Sequence, residues 1–274
     1  MSILQNLNAK RADYGAELMS STARAVMVVA AKGGVGKTTI TEVTSTVLQD
    51  SEVPHTIAEC EANRRIEGRV AAPVTHHPLH KETVAQLARN PDLLNRYWDG
   101  VYRQYLAGPL MLGDLAANAL DLLLRWASDP PTNAALQQGA NWKFVLVATA
   151  DPESLSGTLK SAAGLAHVLP EAERWIVFNE IAGPVDLAHP GMQEFVKRAN
   201  CQGPLLLSMC RAPHFSILRA QGGYFQTAMT ATPTSLLRHG MDYLEAGRAI
   251  CGLRDWVLDS CGIMRPVVKS LLKT

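Results

Sequence analysis

The chain has 274 residues, 47% hydrophobic and 19% charged, with a formal net charge of +1. This length and composition suit one large α/β domain or two small ones around an ordinary core. The near-zero charge gives no global attraction to nucleic acid or anionic lipid, so binding of that kind would need a local patch.

No apolar run approaches the ~20 residues of a membrane span. The N-terminus lacks the apolar core and small-residue cleavage site of a secretory signal, which implies a cytoplasmic protein. Five cysteines (Cys60, Cys201, Cys210, Cys251, Cys261), an odd number without a C-x-x-C pair, read as scattered thiols in a reducing compartment.

Taken in chain order, residues 3–19 place Ile3, Leu4, Leu7, Ala12, Ala16 and Met19 among polar residues. This spacing predicts a helical extension (residues 1–24) ahead of the main domain (residues 25–274).

Residues 25–41 read AVMVVAAKGGVGKTTIT. The run from Val26 to Val29 does not alternate, which suits a parallel strand buried on both faces. Gly33, Gly34 and Gly36 remove the Cβ atoms that would block a backbone curling around an anion, and the following helix aims its N-terminus at the same point. Together with Val35, Lys37, Thr38 and Thr39 they form a candidate phosphate-binding loop. Lys37 is placed to reach β- and γ-phosphates, and the Thr38 hydroxyl to ligate Mg²⁺.

A literal G-x-x-x-x-G-K-[ST] pattern fails at Ala31, but a second lysine, Lys32, precedes the double glycine. The run KGGVGKTT resembles the deviant phosphate loop of the MinD/ParA family of ATPases. That resemblance implies ATP and Mg²⁺ as ligands. It also implies a nucleotide-dependent homodimer in which Lys32 crosses to the partner's nucleotide. The N-terminal extension departs from the family, which usually begins near the loop strand.

A helix over residues 38–49 and a short strand over residues 54–58 are expected next. Glu59-Cys60-Glu61-Ala62-Asn63 then resembles the family's first switch, D-x-D-P-Q, whose second acid positions the attacking water. By that resemblance Glu61 is catalytic, beside Lys32, Lys37 and Asp114. The other reading of Glu59 and Glu61 is two solvated glutamates at a strand end. The extra methylene of glutamate shifts the carboxylate by about a bond length, so slow hydrolysis is expected. Arg64, Arg65 and Arg69 lie either near the nucleotide or on an exposed basic face. His76, His77 and His80 read as a loop in preference to a metal site.

Residues 83–106 read as two helical pieces broken at Asn90-Pro91-Asp92, with Tyr97, Trp98, Tyr102 and Tyr105 forming a core or partner-facing stripe. Residues 109–114, PLMLGD, are an apolar strand ending in an acid. This resembles the family's second switch, with Asp114 beside the Mg²⁺. The proline or glycine that often follows is replaced by residues 115–118, LAAN.

A helix over residues 120–126 and a turn at residues 129–131 follow. Residues 142–148 and 174–179 read as buried strands, with a helix from the cap at residues 149–154 to residue 169 between them. Asn179 ends the second strand. The family places an adenine-reading asparagine here, which makes Asn179 the adenine candidate, and a turn-forming asparagine is the other reading. A last strand is expected over residues 205–209, with residues 210–213 in the position of a loop that walls the base.

A long helix over residues 234–259 and a tail from residue 263 close the chain. The tail resembles the membrane-touching helix of MinD-type proteins, but its short, modestly basic run favours packing on its own domain.

The alternation of strands and helices predicts a doubly wound, mostly parallel α/β sheet. The function implied is an ATP-dependent dimeric switch in plasmid DNA partition or in positioning a large assembly. Its partners would be non-specific DNA or a DNA-binding adaptor protein. The alternative is a nucleotide-bound scaffold that has lost hydrolysis.

Overall fold

Six consecutive buried residues, Arg24–Val29, form β1. Val26 and Val28 join the apolar cluster on one face, and Ala25, Met27 and Val29 the cluster on the other. Both faces of this strand are covered, which is why its sequence shows no alternation. The computed structural model describes residues 24–139, 141–220, 228 and 230–272. The helix expected over residues 3–19 lies outside them.

Within the described residues β2 (Thr56–Cys60), β3 (Val74–His76), β4 (Leu110–Leu115), β5 (Asn141–Ala148), β6 (Glu173–Asn179) and β7 (Gln202–Leu207) join β1 in one seven-stranded sheet. The order is β3-β2-β4-β1-β5-β6-β7, and every ladder is parallel. From β1 the chain runs out to β2 and β3, returns to β4 between β1 and β2, then crosses to β5 on the other side of β1. This places a topological switch at the carboxyl ends of the central strands, where such sheets bind ligands.

Helices cover both faces. On one lie α1 (Lys37–Asp50) and the C-terminal helix. On the other lie α2 (Lys81–Arg89), α3 (Pro91–Ala107), α4 (Ala119–Ala127), α5 (Pro130–Gly139) and α6 (Pro152–Val168). The aromatic stripe is core: Trp98 and Tyr105 are buried and pack with Trp126, Trp142 and Tyr102. Then come α7 (Pro190–Ala199), α8 (Phe215–Ala220), α9 (Pro233–Leu237) and α10 (Tyr243–Leu272). No described helix is long and apolar enough to cross a membrane.

Several boundaries differ from the sequence-based expectations. β2 runs on to Cys60, so Glu59 lies inside the strand. The residues expected as a turn at 129–131 open α5 instead, with Pro130 at its start, where a missing N–H leaves no helical bond unmade. His76 ends an edge strand. β7 starts three residues before its expected position and ends at Leu207.

The largest difference is at the C-terminus. The expected helix over residues 234–259 is broken after Leu237, and α10 then runs 30 residues through Gly262 and Pro266. Met264, Val267, Val268 and Leu271 are buried with Val43, Val47 and Leu48 of α1. That tertiary burial outweighs two local helix-breaking signals. It leaves the tail's apolar face on the domain, as the favoured expectation had it.

Candidate phosphate-binding site

The segment from Ala30 to Gly36 joins the buried end of β1 to α1. Gly34 and Gly36 hold φ of 79° and 94°, a region that disfavours any Cβ. At Gly36 a Cβ would also lie 2.1 Å from Nδ2 of Asn179. Gly36 caps α1 without a side-chain hydrogen bond, and the helix has no acid in its first turn. Its N-terminal amides thus face the loop with no competing anion in that turn.

Asn179, at the carboxyl end of β6, donates from Nδ2 to the carbonyl of Val35 at 2.9 Å and is buried. The amide therefore braces the loop from beneath, a role the sequence did not disclose.

Ala31 also finds its explanation. A Cβ at Gly157 of α6 would come within 2.4 Å of the Ala31 methyl. The loop can carry a methyl at this position because the facing helix carries none.

Lys37 is buried, and burial lowers its pKa against the opposing pull of Asp114 and Glu61. Thr38 donates its hydroxyl to Oδ2 of Asp114 at 2.9 Å. Thr39 is half-buried beside it. Asp114 Oδ1 is buried with no hydrogen-bond partner among the described residues. Burial, with smaller contributions from Glu61 and Glu59, pushes the Asp114 carboxyl up to about 7, while the Thr38 bond and Lys37 pull the other way. A hydroxyl and a buried carboxylate with an unused oxygen suit a hard divalent cation. Mg²⁺ would be held there by Thr38 and Asp114.

The acids after β2 have separate roles. Glu59 lies level with Asp114 across the ladder and is fully buried. Its Oε1 accepts from the Arg65 and Ile66 amides at 2.5 and 3.0 Å, so it shapes the turn that follows. This corrects the picture of two solvated glutamates. Glu61 is almost buried and lines a cavity of about 470 Å³ with Gly33, Gly34, Lys37, Arg65 and Asn118.

Of the nearby arginines, only Arg65 lines that cavity. Arg64 pairs with Glu67 at 2.6 Å and Arg69 with Glu42 at 3.4 Å. Lys81 and Asp121, at the starts of α2 and α4, also line the cavity. Sequence reasoning missed both, since each lies on a helix just beyond a segment that was read, Lys81 after His80 and Asp121 after Asn118, and only the fold turns it toward the loop. Two histidine rings are engaged elsewhere: His76 Nε2 donates to the Glu61 carbonyl at 2.9 Å and His77 Nε2 to Gln104 Oε1 at 2.8 Å.

Lys32 is half-exposed and points to the start of α6, 3.1 Å from Asp151 Oδ1 and 2.8 Å from Glu153 Oε2. These bonds, that to Glu153 foremost, raise its pKa. Asp151 also caps α6 by accepting from the Glu153 and Ser154 amides, and the Ser154 bond is the main reason its own pKa is lowered.

No protein-family model and no curated protein matches the chain. Among solved structures it is similar to a plasmid partition protein from Borrelia burgdorferi, at 11% identity and a TM-score of 0.43, over 69% of this chain and 89% of that one. It is similar to the MinD cell division protein of Aquifex aeolicus at 15% identity and a TM-score of 0.44, over 86% and 97%. It is also similar to the signal recognition particle 54 kDa protein of Aeropyrum pernix in complex with GDP, at 12% identity and a TM-score of 0.41, over 74% and 46%. Likeness this distant says nothing about activity. The KGGVGKTT loop between a central parallel strand and α1, with Thr38 bonded to the acid near the end of the adjacent strand, gives the chain a MinD/ParA-like P-loop fold.

Proposed function

We propose that the protein is an ATP-binding, slowly hydrolysing switch whose ATP-bound form is a homodimer closed through Lys32. The observation that carries the reading is the Thr38–Asp114 hydrogen bond at the mouth of a glycine loop, with the second Asp114 oxygen unpartnered. Gly33, Gly34, Val35, Gly36 and Thr39 would line the phosphates with backbone amides, and Lys37 would neutralise their charge. Bound Mg²⁺ would supply charge neutralisation at the phosphate oxygens. Glu61 would orient the attacking water. With Glu59 Oε1 taken by the Arg65 and Ile66 amides, Glu61 would be the acid of this pair left to orient water, its longer side chain favouring slow turnover.

Asn179 would stiffen the loop before any contact with adenine. The role of the switch would be plasmid DNA partition or positioning of a large assembly, with non-specific DNA or a DNA-binding adaptor as partner. Membrane contact through the end of α10 would require its apolar face to leave α1. The expectation of a cytoplasmic protein accords with this reading.

Sedimentation of wild type and Lys32→Ala with no nucleotide, ADP and a non-hydrolysable ATP analogue, all with Mg²⁺, tests the proposal. A gain in association with the analogue, in wild type but not in Lys32→Ala, supports it, and association indifferent to nucleotide overturns it. Turnover separates the scaffold alternative. Glu61→Gln should lower kcat by about 10²-fold or more if Glu61 orients water, whereas absence of turnover in wild type favours a nucleotide-bound scaffold.

A further inference from the structure

The N-terminal half of α10 has two unlike faces. Ala246, Ala249, Ile250, Leu253 and Val257 are buried against α9 and neighbouring residues. On the outer side Leu244, Arg248, Cys251, Asp255 and Leu258 are all exposed, the two leucines at 67% and 41%. At about 100° and 1.5 Å per residue, these five fall within an arc of about 80° and along a line of about 21 Å. Among the described residues neither Arg248 nor Asp255 has an ion-pair partner within its own chain.

The order along this stripe is leucine, arginine, cysteine, aspartate, leucine. Read backwards about Cys251, each leucine falls on a leucine, and arginine and aspartate exchange places. A second copy laid antiparallel across a two-fold axis at Cys251 therefore sets Leu244 against Leu258 and Arg248 against Asp255, each twice. Arg248 and the opposing Asp255 come within one residue, about 1.5 Å, of being level. A parallel pairing would instead oppose like charges. An isologous contact requires a surface complementary to itself, and this stripe is so in both charge and apolar position.

We propose that this face of α10 is a homodimer contact, formed without nucleotide, with Cys251 of both copies at the axis. The stripe is short and its ion pairs lie at the surface, so the contact is weak and salt-sensitive. It lies on a different element from the phosphate loop and does not depend on Lys32.

The full chain, free of nucleotide, provides the test, which keeps its outcome separate from that of the nucleotide-closed dimer. In sedimentation over a concentration series, wild type should self-associate, and Arg248→Asp should weaken that association about tenfold or more. The exchange Arg248→Asp with Asp255→Arg should restore it, which also shows that the single variant had not simply unfolded. A short bismaleimide should link wild-type subunits and leave Cys251→Ser unlinked. A monomer at every concentration, association unchanged in Arg248→Asp, no recovery in the exchanged variant, or linkage that persists in Cys251→Ser would each overturn the proposal.

Discussion

Asp114 and His55 set opposite pH responses through single protons. The Asp114 carboxyl rises from 3.8 to about 7 on folding, chiefly through burial. The folded state thus binds more protons than the unfolded one between these values, and stability from this group falls as pH rises through that window. His55 donates Nδ1 to the Val53 carbonyl and accepts from Ser45 at Nε2, and burial lowers its pKa below 6.5. Here the unfolded state binds more protons, so its contribution is present above 6.5 and is lost as pH falls below it.

Asp114→Asn removes the first response and leaves the second. Denaturant melts should show the variant gaining stability as pH rises toward 6.5. At about pH 8 it should exceed metal-free wild type by roughly 1–3 kcal/mol, the cost of an uncompensated buried group. The same change should abolish any Mg²⁺ dependence of nucleotide affinity. Asn179→Ala tests a second residue. Loss of one buried hydrogen bond to Val35 should lower stability by about 1 kcal/mol, and calorimetry should show nucleotide affinity falling by about tenfold as the loop loses its brace.

Elements repay the comparison of sequence with structure. The phosphate loop, β1, β5 and β6 were legible because each buried parallel strand is a continuous apolar run, and because glycines at positive φ have few substitutes. Asp114 was legible because it stands near the end of such a run. Glu59 was misplaced because a buried acid in a strand interior contradicts the pattern from which strands are read. One of its oxygens is satisfied by two amides that only the folded turn supplies. The Gly157 and Ala31 contact was invisible because it joins residues more than a hundred positions apart in sequence, as was the Asn179 brace to Val35.

The tail was expected to pack on the domain but was read as distinct from the long helix, because Gly262 and Pro266 argue locally against a helix that long-range packing sustains. Leu271→Ala, in that packed face, should cost about 2–4 kcal/mol in thermal or denaturant unfolding.

At the scale of the whole molecule, Lys32 is where the proposed closed dimer would compete with contacts inside one chain. In the single chain it is held by Asp151 and Glu153, and the proposed closure would require its release. Glu153→Ala leaves the Asp151 cap in place and removes one hold. Light scattering should then show dimer forming at a several-fold lower concentration of ATP analogue.

The packing of α10 on α1 carries a mechanical consequence. The helix whose first turn opens at the glycine loop is the same one whose later turns pack against α10, with Arg265 4.0 Å from Asp50. α1 thus links the glycine loop, at its first turn, to the last described turns of α10. On the proposed nucleotide-binding reading, a pull on the final described turns of α10 would reach the loop that holds the phosphates by way of α1.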